Sequence, residues 1–504
     1  MNKILFVLIA ILMASPFVNS AQSKRGKVWV SGAGISYKLT FEPTGIVNTY
    51  LDTFYSPYFN KGNSNICDTN GKLLLCSDGY NIYDSNANFI DGGDTLVPKD
   101  FYIHEDGWSL YSQSSIFLPM DSGIYYFITP TFSDAQFAAC NANSDCFFDL
   151  LLYNVIDMNA NGGAGKVVKR MQVLMDSAVL SKTQMMACRH ANGKDWWLLK
   201  QGGSSNTVYK FLFTQDSIYD YGTQVFNAPV WGIWDIKGQS VFRKDGSQYA
   251  TTVQGNSTGE VFIADFDRCY GILSNPKVII APQGSQHNPN DTTIKERLPV
   301  GLAYSPNGQL LYIITMSNIY QYDLQDNTWF HVAGLDTSYQ KFQNYNASYL
   351  GPDDKLYIGN FAGLSKQMSV INNPDIKGAG CNFCPRCFRL DSVFYYGAIT
   401  TPPCMPNYSL GAQVCWPLES SEIEDKRLET LEVYPNPSST YIDVRYKIRD
   451  KRNATIELFT ALGQRVYTSP ISHLKSPFSI DVSNLSTGIY YLRVENLVKK
   501  VIIE

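Results

Sequence analysis

The chain has 504 residues, 17% of them charged, and a formal net charge of −4. That balance gives no electrostatic reason to expect a nucleic acid or an anionic membrane as partner. With 33 tyrosines, 27 phenylalanines and 8 tryptophans, and no sustained helical period between Val28 and Leu390, the composition favours an all-β chain.

The chain opens on a basic residue, Lys3, followed by the apolar run Ile4–Ala14 and the small residues Val18-Asn19-Ser20 ahead of Ala21. Residues 1–20 therefore read as a secretory signal peptide, with an apolar part too short to span a membrane stably. No later segment reaches the ~18 continuous apolar residues that a membrane helix requires. An exported chain without a transmembrane anchor is expected.

From Lys27 onward a rhythm of turns and aromatic-rich strands sets in. Asp68-Thr69-Asn70-Gly71 precedes Lys72–Leu75, Ser305-Pro306-Asn307-Gly308 precedes Gln309–Ile314, and Pro352-Asp353-Asp354 precedes Lys355–Ile358. Related units start at Asp121-Ser122-Gly123, Ala191-Asn192-Gly193 and Lys244-Asp245-Gly246. Asn-Gly and Asp-Gly favour tight hairpins because both tolerate positive φ. A spacing of roughly 45–70 residues suits four-stranded blades with some long loops. A β-propeller of about six or seven blades is thus expected over residues 21–416, with Lys27–Val30 placed to complete the last blade.

Several motifs in this region approach known chemistry. Gly255-Asn256-Ser257-Thr258-Gly259 fits the G-x-S-x-G nucleophile elbow, but Glu260–Ile263 after it reads as a strand where the elbow needs a helix. Asp157–Gly162 matches the first half of a calcium loop, yet Val168 stands where the bidentate carboxylate belongs. A hairpin turn explains both. Arg189–Trp197 concentrates rare residue types, and His104, His190, Asp195, Trp196 and Trp197 are the candidate ligand-binding residues at a propeller mouth. Adjacent tryptophans on a strand point to opposite faces, so one of the two at most faces a given pocket. No catalytic residue, cofactor or metal is assigned.

Eleven cysteines cannot all pair. Cys381-Asn382-Phe383-Cys384-Pro385-Arg386-Cys387 resembles an iron–sulfur loop in spacing, but Asp391 stands where a fourth cysteine belongs. Zinc held with Cys404 or Cys415 is a second reading. An oxidising destination favours disulfides, so Cys381, Cys384 and Cys387 join Cys140/Cys146 and Cys404/Cys415 as disulfide candidates.

Residues 417–429, which include the polar, acidic Glu419–Asp425, read as an exposed linker. Beyond it, Ile442, Val444 and Tyr446 alternate with Asp443 and Arg445, and short strands with closely spaced turns suggest a small β-sandwich over 430–504. "VYPNPSSTYIDV", "IELFTALGQRVY", "IDVSNLSTGIYYLRV" and "KKVIIE" resemble the type A C-terminal sorting domain of the type IX secretion system of Bacteroidetes. "SNICDTNGKLLLCSDGYNIYD", "RHANGKDWWLL", "IADFDRCYGILSNP", "AYSPNGQLLYI" and "INNPDIKGAGCNF…MPNY" are similar to a Bacteroidetes family of secreted propeller-like proteins.

These resemblances imply export through the periplasm to the cell surface or medium, with the type IX machinery as partner of the C-terminal module. They also imply that this module is removed near Pro417–Leu428. For the larger region, the expected function is non-catalytic binding or adhesion toward a glycan or protein ligand. The alternative is a secreted propeller hydrolase acting on glycosides or lactones, which would need acidic or histidine residues converging at one mouth.

Overall fold

The computed structural model describes residues 24–32, 36–51, 58–140, 146–227, 238–253, 259–282, 298–335, 344–360, 367–389, 401–415, 430–447, 455–460, 464–470, 478–494 and 497–504. The chain is all-β apart from short helical pieces such as Lys99–His104 and Asp134–Cys140. It divides into two compact units, Met1–Cys415 and Trp416–Glu504. The signal-peptide, nucleophile-elbow and linker readings, and the Asp391 position, lie outside the described residues.

In the larger unit each sheet is a meander in which neighbours in sequence are neighbours in space. Two three-stranded sheets come first, with first strands Val28–Ser31 and Ser64–Cys67. Five four-stranded sheets follow, starting at Ile116–Pro119, Leu180–Arg189, Ser240–Phe242, Pro299–Tyr304 and Tyr345–Leu350. Short hairpins join the strands because the turns demand it: Gly246 sits at φ +76°, in the left-handed region that glycine enters without penalty.

The first strands lie side by side in succession from sheet to sheet; between the third and fourth sheets, Ile124–Thr131 makes the contact with Leu180–Arg189. The succession returns to its start, since Trp29, Tyr37 and Phe41 of the first sheet share a core with Ala347, Tyr349 and Tyr357 of the seventh. Trp29 is 2% exposed and meets Phe41 and Tyr357 edge-on, at 4.8 and 5.4 Å between ring centroids. Each such buried aromatic stabilises the contact by about 2–3 kcal/mol. The arrangement is propeller-like.

Amides hold the first strands together from within. The Gln113 side chain donates to Ser240 O (2.8 Å) and accepts from Ser240 N (2.7 Å). Gln239 donates to Ser348 O (2.6 Å) and accepts from the amides of Leu302 (2.9 Å) and Ser348 (3.0 Å). Side-chain amides thus satisfy main-chain groups of strands that have no ladder partner on that side.

The smaller unit contains two antiparallel sheets. One is Thr430–Tyr434, Tyr441–Lys447 and Phe478–Asp481; the other orders Arg465–Pro470, Thr455–Thr460, Gly488–Val494 and Leu497–Ile503. Ile442, Val444 and Ile480 of the first share a core with Ile456, Leu458, Leu492 and Val501 of the second. That is the inward half of the period-two pattern. On Thr455–Thr460, Glu457 accepts hydrogen bonds from Arg465 (2.8 Å) and Arg493 on the two flanking strands.

Candidate functional site

Residues 401–415 form a strap that the hairpin pattern gave no hint of. Thr401 O accepts from Ser31 Oγ (2.9 Å), and Cys404 forms a parallel bridge with Ser64. The strap then leaves the second sheet: Asn407 Nδ2 donates to Lys244 O (2.7 Å), and Tyr408 OH to Phe117 O (3.0 Å). It ends on Arg268, whose guanidinium donates to Gly411 O (2.5 Å), Gln413 Oε1 (2.9 Å) and Arg189 O (2.9 Å). A disulfide between Cys269 and Cys415 fastens the end. Gly246 lies beneath the strap, and a Cβ there would come 2.8 Å from Leu410.

Between the strap and the first and fourth to seventh sheets lies a cavity of about 930 Å³. The cavity meets the ends of the first strands at Cys188, Phe242, Tyr304 and Leu350, and its wall includes Trp29, Phe41, Tyr349 and Tyr408. Charged groups border these apolar surfaces, several of them already in ion pairs. Lys27 Nζ is 2.7 Å from Glu42, Lys244 Nζ is 2.6 Å from Asp354, and Arg243 Nε is 3.6 Å from Asp245. The Cys188 thiol is pushed up to about 12 by burial, which leaves it protonated and inert. Aromatic walls with paired charges can hold a ligand by stacking and hydrogen bonds without a tuned acid or base.

The candidate residues from the sequence do not line this cavity together. Trp196 and Trp197 are both fully buried and turn to opposite sides, one donating to Pro119 O (3.0 Å) and the other to Arg268 O (2.8 Å). Arg189 lies 4.2 Å from the Trp196 ring centroid, and burial lowers its pKa to about 10. His190 and Asp195 shape the hairpin: the His190 ring contacts Cys269 O (3.1 Å), and Asp195 accepts from the Asn192 amide (2.6 Å). His104 is remote from them, at the end of the helix Lys99–His104 and 3.5 Å from Glu105. These residues buttress the strap's landing place or stand elsewhere. In the Asp157–Gly162 turn, Asp157 Oδ1 accepts from the amide of Asn159 (2.8 Å), and among the described residues no group of three or more potential ligands could hold a metal.

The cysteines divide differently from the sequence expectation. Cys140 and Cys146 are bonded to each other. Cys404 and Cys415 are not a pair, because the strap carries Cys415 away to the turn after Arg268 while Cys404 stays buried beside Ser64. Cys381, Cys384 and Cys387 are free thiols rather than structural disulfides. Cys381 is fully buried in the core shared by the sixth and seventh sheets, which separates it from the other two.

The strap was missed because its partners are distant in sequence; the MPNY segment, Met405–Tyr408, and the flanking Cys404 and Cys415 were the signals on it. Residues 432–504 match the family described as a secretion system C-terminal sorting domain. No curated relative matches the chain. Solved structures resemble it only distantly. Apo AztD from Citrobacter koseri is 10% identical, with 76% of this chain and 89% of that one covered and a TM-score of 0.39. The periplasmic gluconolactonase PpgL of Pseudomonas aeruginosa is 14% identical, covering 84% and 95%, with a TM-score of 0.35. The β-propeller domain of Cps50 (Swd1) from Myceliophteria thermophila is 8% identical, covering 78% and 97%, with a TM-score of 0.31.

Proposed function

We propose, taking the sorting-domain match at 432–504 as premise, that this is a secreted or surface-held Bacteroidetes protein whose larger unit is a seven-bladed propeller that binds a ligand. The smaller unit, a β-sandwich, is its address to the type IX machinery. No helix among the described residues is long and apolar enough to cross a membrane. Fusing residues 430–504 to a periplasmic reporter should carry it to the surface or medium, and deleting them should leave this chain in the periplasm. Unchanged surface delivery after the deletion would refute the assignment.

The binding reading rests on the strapped cavity, where aromatic walls stand beside ion pairs such as Lys27–Glu42 and Lys244–Asp354. Such a wall suits a glycan or a protein loop, held by stacking and neutral hydrogen bonds. The purified protein should bind oligosaccharides or a surface protein while leaving aryl glycosides, esters and lactones intact. Turnover of any of these, abolished by Glu42→Gln or Asp353→Asn with the fold preserved, would make it a hydrolase instead.

A further inference from the structure

The seventh sheet ends on the strand Phe383–Arg389, which holds Cys384-Pro385-Arg386-Cys387. This strand does not pair evenly with Gln367–Ile371. Val370 faces Cys384, but Met368, two residues away, faces Phe388, four residues on. The extra residues must bulge, and the backbone shows where: Arg386 has φ +54°. Proline at the second position of a turn fixes φ near −65°, and positive φ at the third completes a type II turn. Such a turn brings its first and fourth Cα atoms within about 7 Å, and disulfides span about 4.4–6.8 Å. Cys384 and Cys387 are accordingly neighbours that influence one another electrostatically.

Accessibility separates this pair from the other thiols. Cys67, Cys76, Cys188, Cys381 and Cys404 are buried, whereas Cys384 is half-buried and Cys387 is exposed. We propose that Cys384 and Cys387 form an exchangeable dithiol at the outer edge of the seventh sheet, which takes up and returns a disulfide from small-molecule or protein disulfides.

The thiolate of one cysteine of the pair attacks one sulfur of an incoming disulfide, forming a mixed disulfide and releasing the first thiolate. The second cysteine then gives up its proton and attacks the protein sulfur of that mixed disulfide, expelling the second thiolate. Two protein thiols and one external disulfide become one protein disulfide and two external thiols, and the reverse reaction returns it. Lys355 and Tyr357 are the charged and titratable neighbours of Cys387.

The full-length protein, treated with oxidised glutathione and mapped by thiol labelling and peptide mass, tests this. Expected is a Cys384–Cys387 link that forms without change in the far-ultraviolet spectrum and reopens in reduced glutathione while Cys269–Cys415 stays closed. Cys387→Ser should trap one glutathione on Cys384, and Cys384→Ser one on Cys387, since neither variant keeps a resolving thiol. Thiols that stay free in excess oxidised glutathione would overturn the proposal. So would a link that reopens only on unfolding, or single-serine variants that trap nothing.

Discussion

The two units solve the same problem, covering β-sheets, with opposite materials. The smaller unit closes two sheets on an aliphatic core of Ile442, Ile456, Leu458 and Leu492, and keeps its charges outside that core, with Glu457 between two arginines. The larger unit also packs aromatic residues between sheets, but it joins its first strands with polar groups: Gln113, Gln239, the Arg268 guanidinium and the strap. Apolar contacts are interchangeable within limits, whereas a buried amide that loses its partner strands main-chain groups. The larger unit should therefore depend on a few irreplaceable residues, and the smaller one on total apolar volume.

Removing the covalent end of the strap tests this most severely. Cys415→Ser opens a cross-link spanning 146 residues, which should cost the larger unit about 4–5 kcal/mol while the smaller unit keeps its exchange protection. Hydrogen exchange on the full chain reads both units at once, and equal loss in both would break the contrast. Gln239→Ala comes next. It leaves Leu302 N, Ser348 N and Ser348 O without their side-chain partner, and about 3 kcal/mol should disappear, confined to the larger unit. A neutral outcome would mean that water replaces the amide.

Acid and base should act on the two units in opposite senses. Asp78 is fully buried, and burial raises its pKa to about 6 even though the side chains of Asn81 and Tyr83 and two backbone amides donate to it. The folded carboxyl thus holds its proton where the unfolded one, near 4, has released it. The resulting stability, about 3 kcal/mol at most, is complete below pH 4 and lost as the pH rises through 6. Glu457 runs the other way, since hydrogen bonds from Arg465 and then Arg493 lower its pKa. Its smaller contribution is present at neutral pH and fades on acidification. Pulse proteolysis of the full chain from pH 4 to 7 should show the larger unit weakening upward and the smaller one downward; the same sign in both would remove Asp78 from the account.

What the sequence disclosed was local. Asn-Gly and Asp-Gly turns, the inward Ile442 and Val444, and the Cys140–Cys146 bond all depend on residues a few positions apart. What it withheld was set by closure. Trp196 and Trp197 look like a binding surface because they are rare, yet burial between sheets uses them first. The strap follows no hairpin period, since its contacts are with Ser31, Asn63, Phe117 and Arg268. Cys381, Cys384, Cys387 and Cys404 are better-spaced partners for Cys415 than Cys269 only if proximity in the chain is the guide, and across a closing ring it is not.

The hydrogen bond from Ser31 to Thr401 joins residues 370 positions apart. At a synthesis rate of about 5–20 residues per second, the first sheet waits on the order of tens of seconds for the segment that completes its neighbourhood. Contacts of such long range carry the largest loop-closure cost and form late. The main-chain edge of Val28–Ser31 is covered much sooner, because Asn63 donates to Val30 O and Asn65 donates to Val28 O and accepts from Val30 N. The first strand is thus protected by near neighbours in the chain, and the strap adds its bond to Ser31 last.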